Sequence, residues 1–150
     1  MNEAQHLSQI DATRCKEEAL RKLRMLQPSE DLQKAVAKIE KKMKARVAVS
    51  PLEKLLVYQY LSRVWRRHLS VQELSVAFYV LDRSVGWGTS FFVASSANVL
   101  HGTDDYSGVG LPERTYFRTL KSMEDLGFLF RKRTHDRTLV GLDLGFAPWK

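Results

Sequence analysis

The chain has 150 residues, of which 44% are hydrophobic and 27% are charged, a composition typical of a globular protein. Its single cysteine, Cys15, excludes an internal disulfide, and its longest apolar stretch, residues 74–81, is too short to span a bilayer. The formal net charge of +7 favours a polyanionic partner, nucleic acid before an anionic membrane surface.

The first residues, MNEAQHLSQIDATRCKEE, are charged and lack the apolar segment of a secretory signal. We therefore expect an intracellular protein, located in the bacterial cytoplasm or nucleoid. Cys15 stands in the polar setting TRCKEE, which indicates an incidental cysteine on a helix surface.

The composition changes near residue 50. Before this point there are no aromatic residues and no glycines, whereas all the Trp, Tyr and Phe residues follow it. Because a core needs bulky side chains, we predict a helical extension over residues 1–48 and a globular domain over residues 50–150.

Two helices are predicted in the extension, over residues 2–27 and 30–47, separated by Pro28-Ser29. The second helix has an apolar seam with spacings of four, three and four residues, formed by Leu32, Val36, Ile39 and Met43. This seam is consistent with a coiled coil that joins two copies of the chain as a homodimer, or with a helix lying on its own domain. Attachment to a membrane is disfavoured because the seam has no aromatic anchor.

The globular domain is predicted to begin with two capped helices. Ser50-Pro51-Leu52-Glu53 and Ser70-Val71-Gln72-Glu73 both have the Ser-x-x-Glu pattern of a capping box. The second helix, VQELSVAFYVLDRSV, is apolar on most sides, which predicts a central buried helix that stops at Gly86. Between the two helices lies a basic cluster that is either a contact to a nucleic acid backbone or a solvated helix end: Arg63, Arg66 and Arg67.

The C-terminal third alternates between short elements. A β-prone run over residues 89–93 precedes a brief helix, ANVLH, which Ser95 or Ser96 could cap and Gly102 ends. The polar loop TDDYSGVG leads into a helix over residues 112–126, predicted to begin at Pro112 without a side-chain cap. Two strands over residues 128–144, joined at residues 134–137, complete the pattern.

The helix over residues 112–126 has a core-facing stripe, formed by Tyr116, Leu120, Met123 and Leu126. Its basic residues lie toward the N-terminal half and its acids, Glu124 and Asp125, lie at the C-terminal end; only Glu113 follows the usual preference of acids for a helix N-terminus. Arginines near the N-terminus are favourable if phosphates approach that end, since it also offers free N–H groups.

Two helices joined by a turn and followed by a β-hairpin form the winged helix-turn-helix arrangement. The segment TYFRTLKSMEDLGFL, residues 115–129, resembles the recognition-helix segment of that superfamily. The resemblance implies a mainly α fold with a small β-hairpin (α+β), a winged helix-turn-helix preceded by an N-terminal helical extension. It also implies sequence-specific binding of double-stranded DNA, with the helix in the major groove and the wing on the backbone or in the minor groove.

The residues expected to contact DNA fall into two groups. Arg114 and Arg118 are the candidates for base edges, with Thr115 and Ser122 near a phosphate and Lys121 on the same basic surface. The wing contributes Arg131, Lys132, Arg133 and Arg137.

A narrower resemblance lies in FYVLDRSVGWG, residues 78–88. An apolar helix ending in Arg83-Ser84, followed by an aromatic residue between glycines, Gly86-Trp87-Gly88, is similar to a pattern in the O-type replication proteins of bacteriophages. That family usually continues with Lys, where this chain has Thr89, and its winged helix lies near the N-terminus. The resemblance implies a phage or plasmid setting, in DNA replication, maintenance or transcription regulation. Trp87 is expected to be a core aromatic that anchors the turn.

No catalytic site, metal site or cofactor is predicted. The four histidines, His6, His68, His101 and His135, are scattered, and one cysteine adds no metal-ligand spacing. Residues 108–110, GVG, are too short for a dinucleotide fingerprint, and Asp104-Asp105 is read as a solvated pair in a loop. The alternative function is a winged-helix adaptor that binds proteins through its N-terminal helices rather than DNA.

Overall fold

The computed structural model describes residues 9, 11–16 and 29–148. Residues 9 and 11–16 are helical, and the rest of the helix predicted over residues 2–27 lies outside the described residues. The helices that follow are α1 (Glu30–Lys44), α2 (Pro51–Arg63), α3 (Val71–Ser84), α4 (Ser96–His101) and α5 (Glu113–Leu126). The strands are β1 (Phe92–Val93), β2 (Leu129–Arg133) and β3 (Thr138–Leu142), and two 3-10 turns span Trp65–His68 and Val85–Trp87.

The chain is mainly α with a small antiparallel sheet, as the sequence predicts. Three strands lie in the order β1-β3-β2, so the last strand is central. Phe92 pairs with Val140 on one side of β3, and the ladder from Leu129–Leu142 to Arg133–Thr138 lies on the other. A helical domain that ends in such a sheet is compatible with a winged helix.

Glycine is required at one position of the central strand. A Cβ at Gly141 would lie 2.3 Å from the Ser90 carbonyl oxygen and 2.4 Å from Cζ of Phe130. The missing side chain lets the segment before β1 and the Phe130 ring lie directly against β3.

Both predicted capping boxes form. Ser50 Oγ accepts from the N–H of Glu53 at 3.2 Å, while Glu53 Oε1 accepts from the N–H of Ser50 at 3.2 Å. The same reciprocal bonds join Ser70 and Glu73 at 3.1 and 2.9 Å. These bonds satisfy N–H groups that a helix start leaves unpaired, and thereby fix where α2 and α3 begin.

The core forms around α3, which contacts α5, β1 and β3. Its buried side chains are Val76, Ala77, Val80, Leu81 and Ser84. The largest fully buried side chain, Trp65, comes from the turn after α2, and its ring meets that of Phe128 edge-on at 4.5 Å between centroids. That contact joins the N-terminal helices to the segment between α5 and β2.

The helix α1 lies on its own domain. Val36, Ile39 and Met43 are buried in the same hydrophobic cluster as Trp65, and Leu32 packs against it while partly exposed. An ion pair between Lys42 and Glu53, 2.9 Å long, also ties α1 to α2. The apolar seam is therefore occupied within the chain, the arrangement expected of the second interpretation of this helix.

Some boundaries differ from the predictions. The helix α1 ends at Lys44, three residues early, because Arg46 adopts a left-handed conformation with φ 58° that closes the helix. The helix α5 begins at Glu113 rather than Pro112, whose ψ of 149° is extended, although the expected lack of a side-chain cap is confirmed.

Two predicted core residues lie at the surface. Leu126, expected on the buried stripe of α5, is 50% exposed because the chain turns away at Gly127 and Phe128 takes the core position. Trp87 is not the expected core aromatic: it is 66% exposed, and Val85 of the same 3-10 turn is buried in its place.

Candidate nucleic-acid interface

The helix α5 has one buried side and one exposed side. Tyr116, Thr119, Leu120 and Met123 are buried. The helical repeat of 3.6 residues places four of the predicted contact residues on the opposite side of the helix. All four are exposed: Arg114, Arg118, Lys121 and Ser122. Thr115 stands at the edge between the two sides, half-buried, and its carbonyl oxygen accepts from Thr119 Oγ1 at 2.7 Å.

The N-terminal end of α5 suits an anion. Pro112 provides no side-chain hydrogen bond to the first turn, and its carbonyl accepts from the N–H of Tyr116 at 2.9 Å. The first N–H groups of α5 therefore lack a side-chain cap, and the positive end of the helix dipole lies beside Arg114. A phosphate approaching this end would meet both features.

The hairpin β2–β3 carries the other predicted contacts. Thr134 closes its turn, donating from its N–H to the carbonyl of Arg137 at 2.8 Å. Lys132, Arg133 and Arg137 are exposed near this turn. Arg137 has only a loose contact with Asp136, 4.0 Å between charged atoms, and both side chains are exposed. Three of the four predicted wing residues are thus exposed cations near the turn of the hairpin.

Arg131 is placed differently from the other wing residues. It is partly buried, and its guanidinium donates through Nε and Nη2 to the two carboxylate oxygens of Glu124, at 3.2 and 3.0 Å. These hydrogen bonds lower the pKa of Glu124 and raise the pKa of Arg131. The paired geometry fixes β2 against α5, so Arg131 holds the wing in position beside the helix.

A groove of about 330 Å³ lies between α5 and the hairpin, and the predicted contact residues of α5 are not among its lining residues. Phe117 lines it from the helix and Arg133 from the hairpin, with Thr138 opposite Arg133 in the ladder. Tyr116 also lines the groove, and burial raises its pKa to about 12, so its hydroxyl stays protonated at neutral pH. The groove therefore joins the hairpin to the side of α5 that carries Phe117 and Glu124.

Sequence reasoning missed two residues of this surface, Phe117 and Glu124. Phe117 is 37% exposed, although an aromatic residue beside Tyr116 would ordinarily be read as core. The charge pattern places Glu124 at an acidic helix end, whereas the structure pairs it with Arg131. The signal in the sequence was weak: opposite charges seven residues apart, on either side of Gly127.

The second basic cluster lies elsewhere. Arg63, Arg66 and Arg67 are exposed around the buried Trp65. Because Trp65 contacts Phe128, this cluster lies near the C-terminal end of α5, about 20 Å of helix away from the end that carries Arg114. The structure does not bring it together with the predicted base contacts.

The described part of the chain contains neither a candidate metal-binding cluster nor a candidate membrane-spanning helix. Over residues 9, 11–16 and 29–148, no group of three or more His, Cys, Asp or Glu side chains could hold a metal ion. Within the same ranges, no helix combines the length and the apolar character needed to cross a membrane. Cys15 is exposed, as predicted.

The comparisons with known proteins leave the family open. No protein-family model, no curated protein and no solved structure matches this chain. The winged-helix resemblance therefore rests on the residues of α5 and on the order of helices and strands described above.

Proposed function

We propose that the chain is a sequence-specific double-stranded DNA-binding protein of the winged-helix type. The helix α5 would lie in the major groove and the β2–β3 hairpin along the backbone or in the minor groove. The observation that carries this proposal is that exposed cations occur on two elements that pack against each other, α5 and the hairpin: Arg114, Arg118 and Lys121 on the helix, and Lys132, Arg133 and Arg137 on the hairpin.

The chemistry of the exposed side of α5 fits this role. Arg114 and Arg118 are four residues apart and therefore one helical turn from each other, a spacing that suits neighbouring base pairs. An arginine fork recognises guanine through two acceptors, whereas a phosphate contact only positions the protein. Lys121 and Ser122, one turn further on, would reach the backbone.

The test is a salt-titrated binding assay with Arg118→Ala. The wild-type chain first selects a duplex from a random-sequence pool. Loss of Arg118 should cost about 1–3 kcal/mol of binding free energy and relax specificity at one base position. The control Lys38→Ala also removes one exposed cation, but from α1, and should leave specificity unchanged. If Arg118→Ala bound the selected and random duplexes as the wild type does, α5 would not be the recognition helix.

The biological process rests on the sequence resemblance alone. The pattern of residues 78–88 favours replication, maintenance or regulation of a phage or plasmid. The alternative, an adaptor acting through its N-terminal helices, has less support in the described part of the chain, because the apolar side of α1 is buried in the domain core.

A further inference from the structure

A second groove, away from α5 and the wing, has exposed aromatic rings and positive charge. It has a volume of about 660 Å³ and lies where the end of α1 meets α2 and the turn after α3. We call it the Trp87 groove and define it by six residues: Met43, Arg46, Val47, Lys54, Trp87 and Phe91. We propose that the Trp87 groove binds an acidic peptide segment of a partner protein, anchored by an apolar side chain.

Exposure of large apolar side chains is the first observation behind this proposal. Val47 is 51% exposed and Phe91 is 41% exposed, and Trp87 beside them is more exposed than either. Single apolar residues at a surface need no explanation, but three that line one groove mark an interaction site. Trp is also one of the residue types enriched at the energetic centre of protein interfaces.

The positive charge of the Trp87 groove favours an acidic occupant. Among the described residues that line it, the ionisable ones are Arg46 and Lys54, and none is acidic. Lys54 Nζ donates to the carbonyl oxygen of Gly86 at 3.1 Å, which holds the ammonium beside Trp87. An acidic peptide would therefore meet complementary charge at a partly apolar floor.

Arg46 stands at a position where glycine would be easier to accommodate. The N–H groups of Arg46 and Val47 bond to the carbonyls of Met43 and Lys42, at 3.1 and 2.8 Å, in the pattern that closes a helix through a left-handed residue. A non-glycine residue at positive φ carries strain. A long cation kept there at the rim of a groove is consistent with a binding role.

Single-stranded nucleic acid is the competing occupant, since bases stack on exposed aromatic rings. Its backbone requires a track of cations, whereas this groove offers two. The aliphatic side chains of Met43, Val47 and Val49 make up much of the remaining lining, and they suit an aliphatic or aromatic peptide side chain better than a phosphate. These features favour the peptide.

The experiment measures fluorescence anisotropy of a labelled acidic peptide with the full chain. The peptide consists of Asp and Glu with one Phe and one Leu a helical turn apart. Trp87→Ala should weaken binding about tenfold or more, and added salt should weaken wild-type binding. Val71→Ala, which shortens an exposed apolar side chain outside the groove, should bind as the wild type.

A second variant separates binding from folding. Arg46→Gly should raise the thermal unfolding midpoint, because glycine adopts positive φ without strain, and at the same time weaken peptide binding several-fold. Weaker binding by a more stable protein has no explanation in misfolding. Neither variant touches α5 or the wing, so duplex binding should be unchanged, and the proposal stands or falls independently of DNA recognition.

Five results would overturn the proposal. The peptide does not bind, or Trp87→Ala binds it as the wild type does. A control peptide with Lys replacing every acid binds as tightly. Binding of labelled oligo(dT), rather than binding of the peptide, depends on Trp87, which would make the groove a site for single-stranded nucleic acid. The wild-type protein sediments with the mass of a dimer whereas Trp87→Ala sediments as a monomer, which would make the Trp87 groove a contact between two copies of the chain.

Discussion

Glu124 and Arg131 show how one pair of side chains sets the relation between helix and wing. The guanidinium offers two parallel donors in a fixed plane, a geometry that lysine does not have. Both donors are used on Glu124, at the C-terminal end of α5. The acid that the charge pattern places at the C-terminal end of α5 therefore has a structural partner on β2.

This pair makes stability depend on pH in a defined direction. The folded-state pKa of Glu124 lies below its ordinary value of 4.5, because Arg131 donates to the carboxylate. Its contribution to the free energy of unfolding is therefore complete above 4.5 and is lost as pH falls through the folded pKa. We expect Glu124→Gln to cost about 0.5–1 kcal/mol at neutral pH, since both side chains are partly exposed, and close to nothing at an acid pH below the folded-state pKa of Glu124.

Urea unfolding of wild type and variant at both pH values measures this difference. Asp104→Asn is the matched control, since it removes one carboxylate from an exposed loop and should have little effect at either pH. A cost for Glu124→Gln that stayed the same at acid pH would mean that the ionised carboxylate is not what stabilises the fold.

At the scale of elements, the β2 strand divides neighbouring cations between two faces. Residues of a strand alternate, so Arg133 lies on the face of Arg131 and borders the groove beside α5, whereas Lys132 lies on the other face opposite Leu139. The two cations are adjacent in sequence and both are exposed. Of these two cations, Arg133 alone lines the groove, together with Phe117 of α5.

We therefore expect Arg133→Ala and Lys132→Ala to differ in DNA binding. Arg133→Ala should weaken affinity for all duplexes alike and reduce the slope of log affinity against log salt by about one, the signature of a lost phosphate contact. Lys132→Ala should change that slope less. The measurement is salt-titrated anisotropy with a labelled duplex, and equal slopes for the two variants would contradict a wing that contacts DNA through the face turned to α5.

Local patterns predicted the elements and the exposed side of α5 because both depend on neighbours within a few residues. Capping boxes fixed the start of α2 and α3, and helical spacing separated Arg118 from Tyr116. The errors fall where the chain changes direction. Leu126 and Trp87 continue an apolar pattern into a turn, and there the core position goes to Phe128 and Val85. Pairing of β1 with β3 joins residues nearly fifty positions apart, so no local pattern specifies it.

At the scale of the whole molecule, α1 and the C-terminal sheet share one core. The buried cluster extends from Val36 in α1 through Trp65 to Leu142 in β3. Composition alone suggests a boundary near residue 50, because aromatic residues begin there. Aliphatic side chains of α1 nevertheless reach into the cluster that those aromatic residues build, so folding of the domain should depend on this helix.

Ile39→Ala tests that dependence. Ile39 is 3% exposed, and its truncation should lower the free energy of unfolding by about 2–4 kcal/mol, through lost burial and the cavity left behind. Urea unfolding should remain a single transition when followed by both tryptophan fluorescence and helical circular dichroism, with its midpoint lowered for both probes. Lys38→Ala, on the exposed side of α1, should shift neither. If Ile39→Ala lowered only the circular dichroism transition, α1 would be a separately folding attachment, and its seam would be free to join another chain.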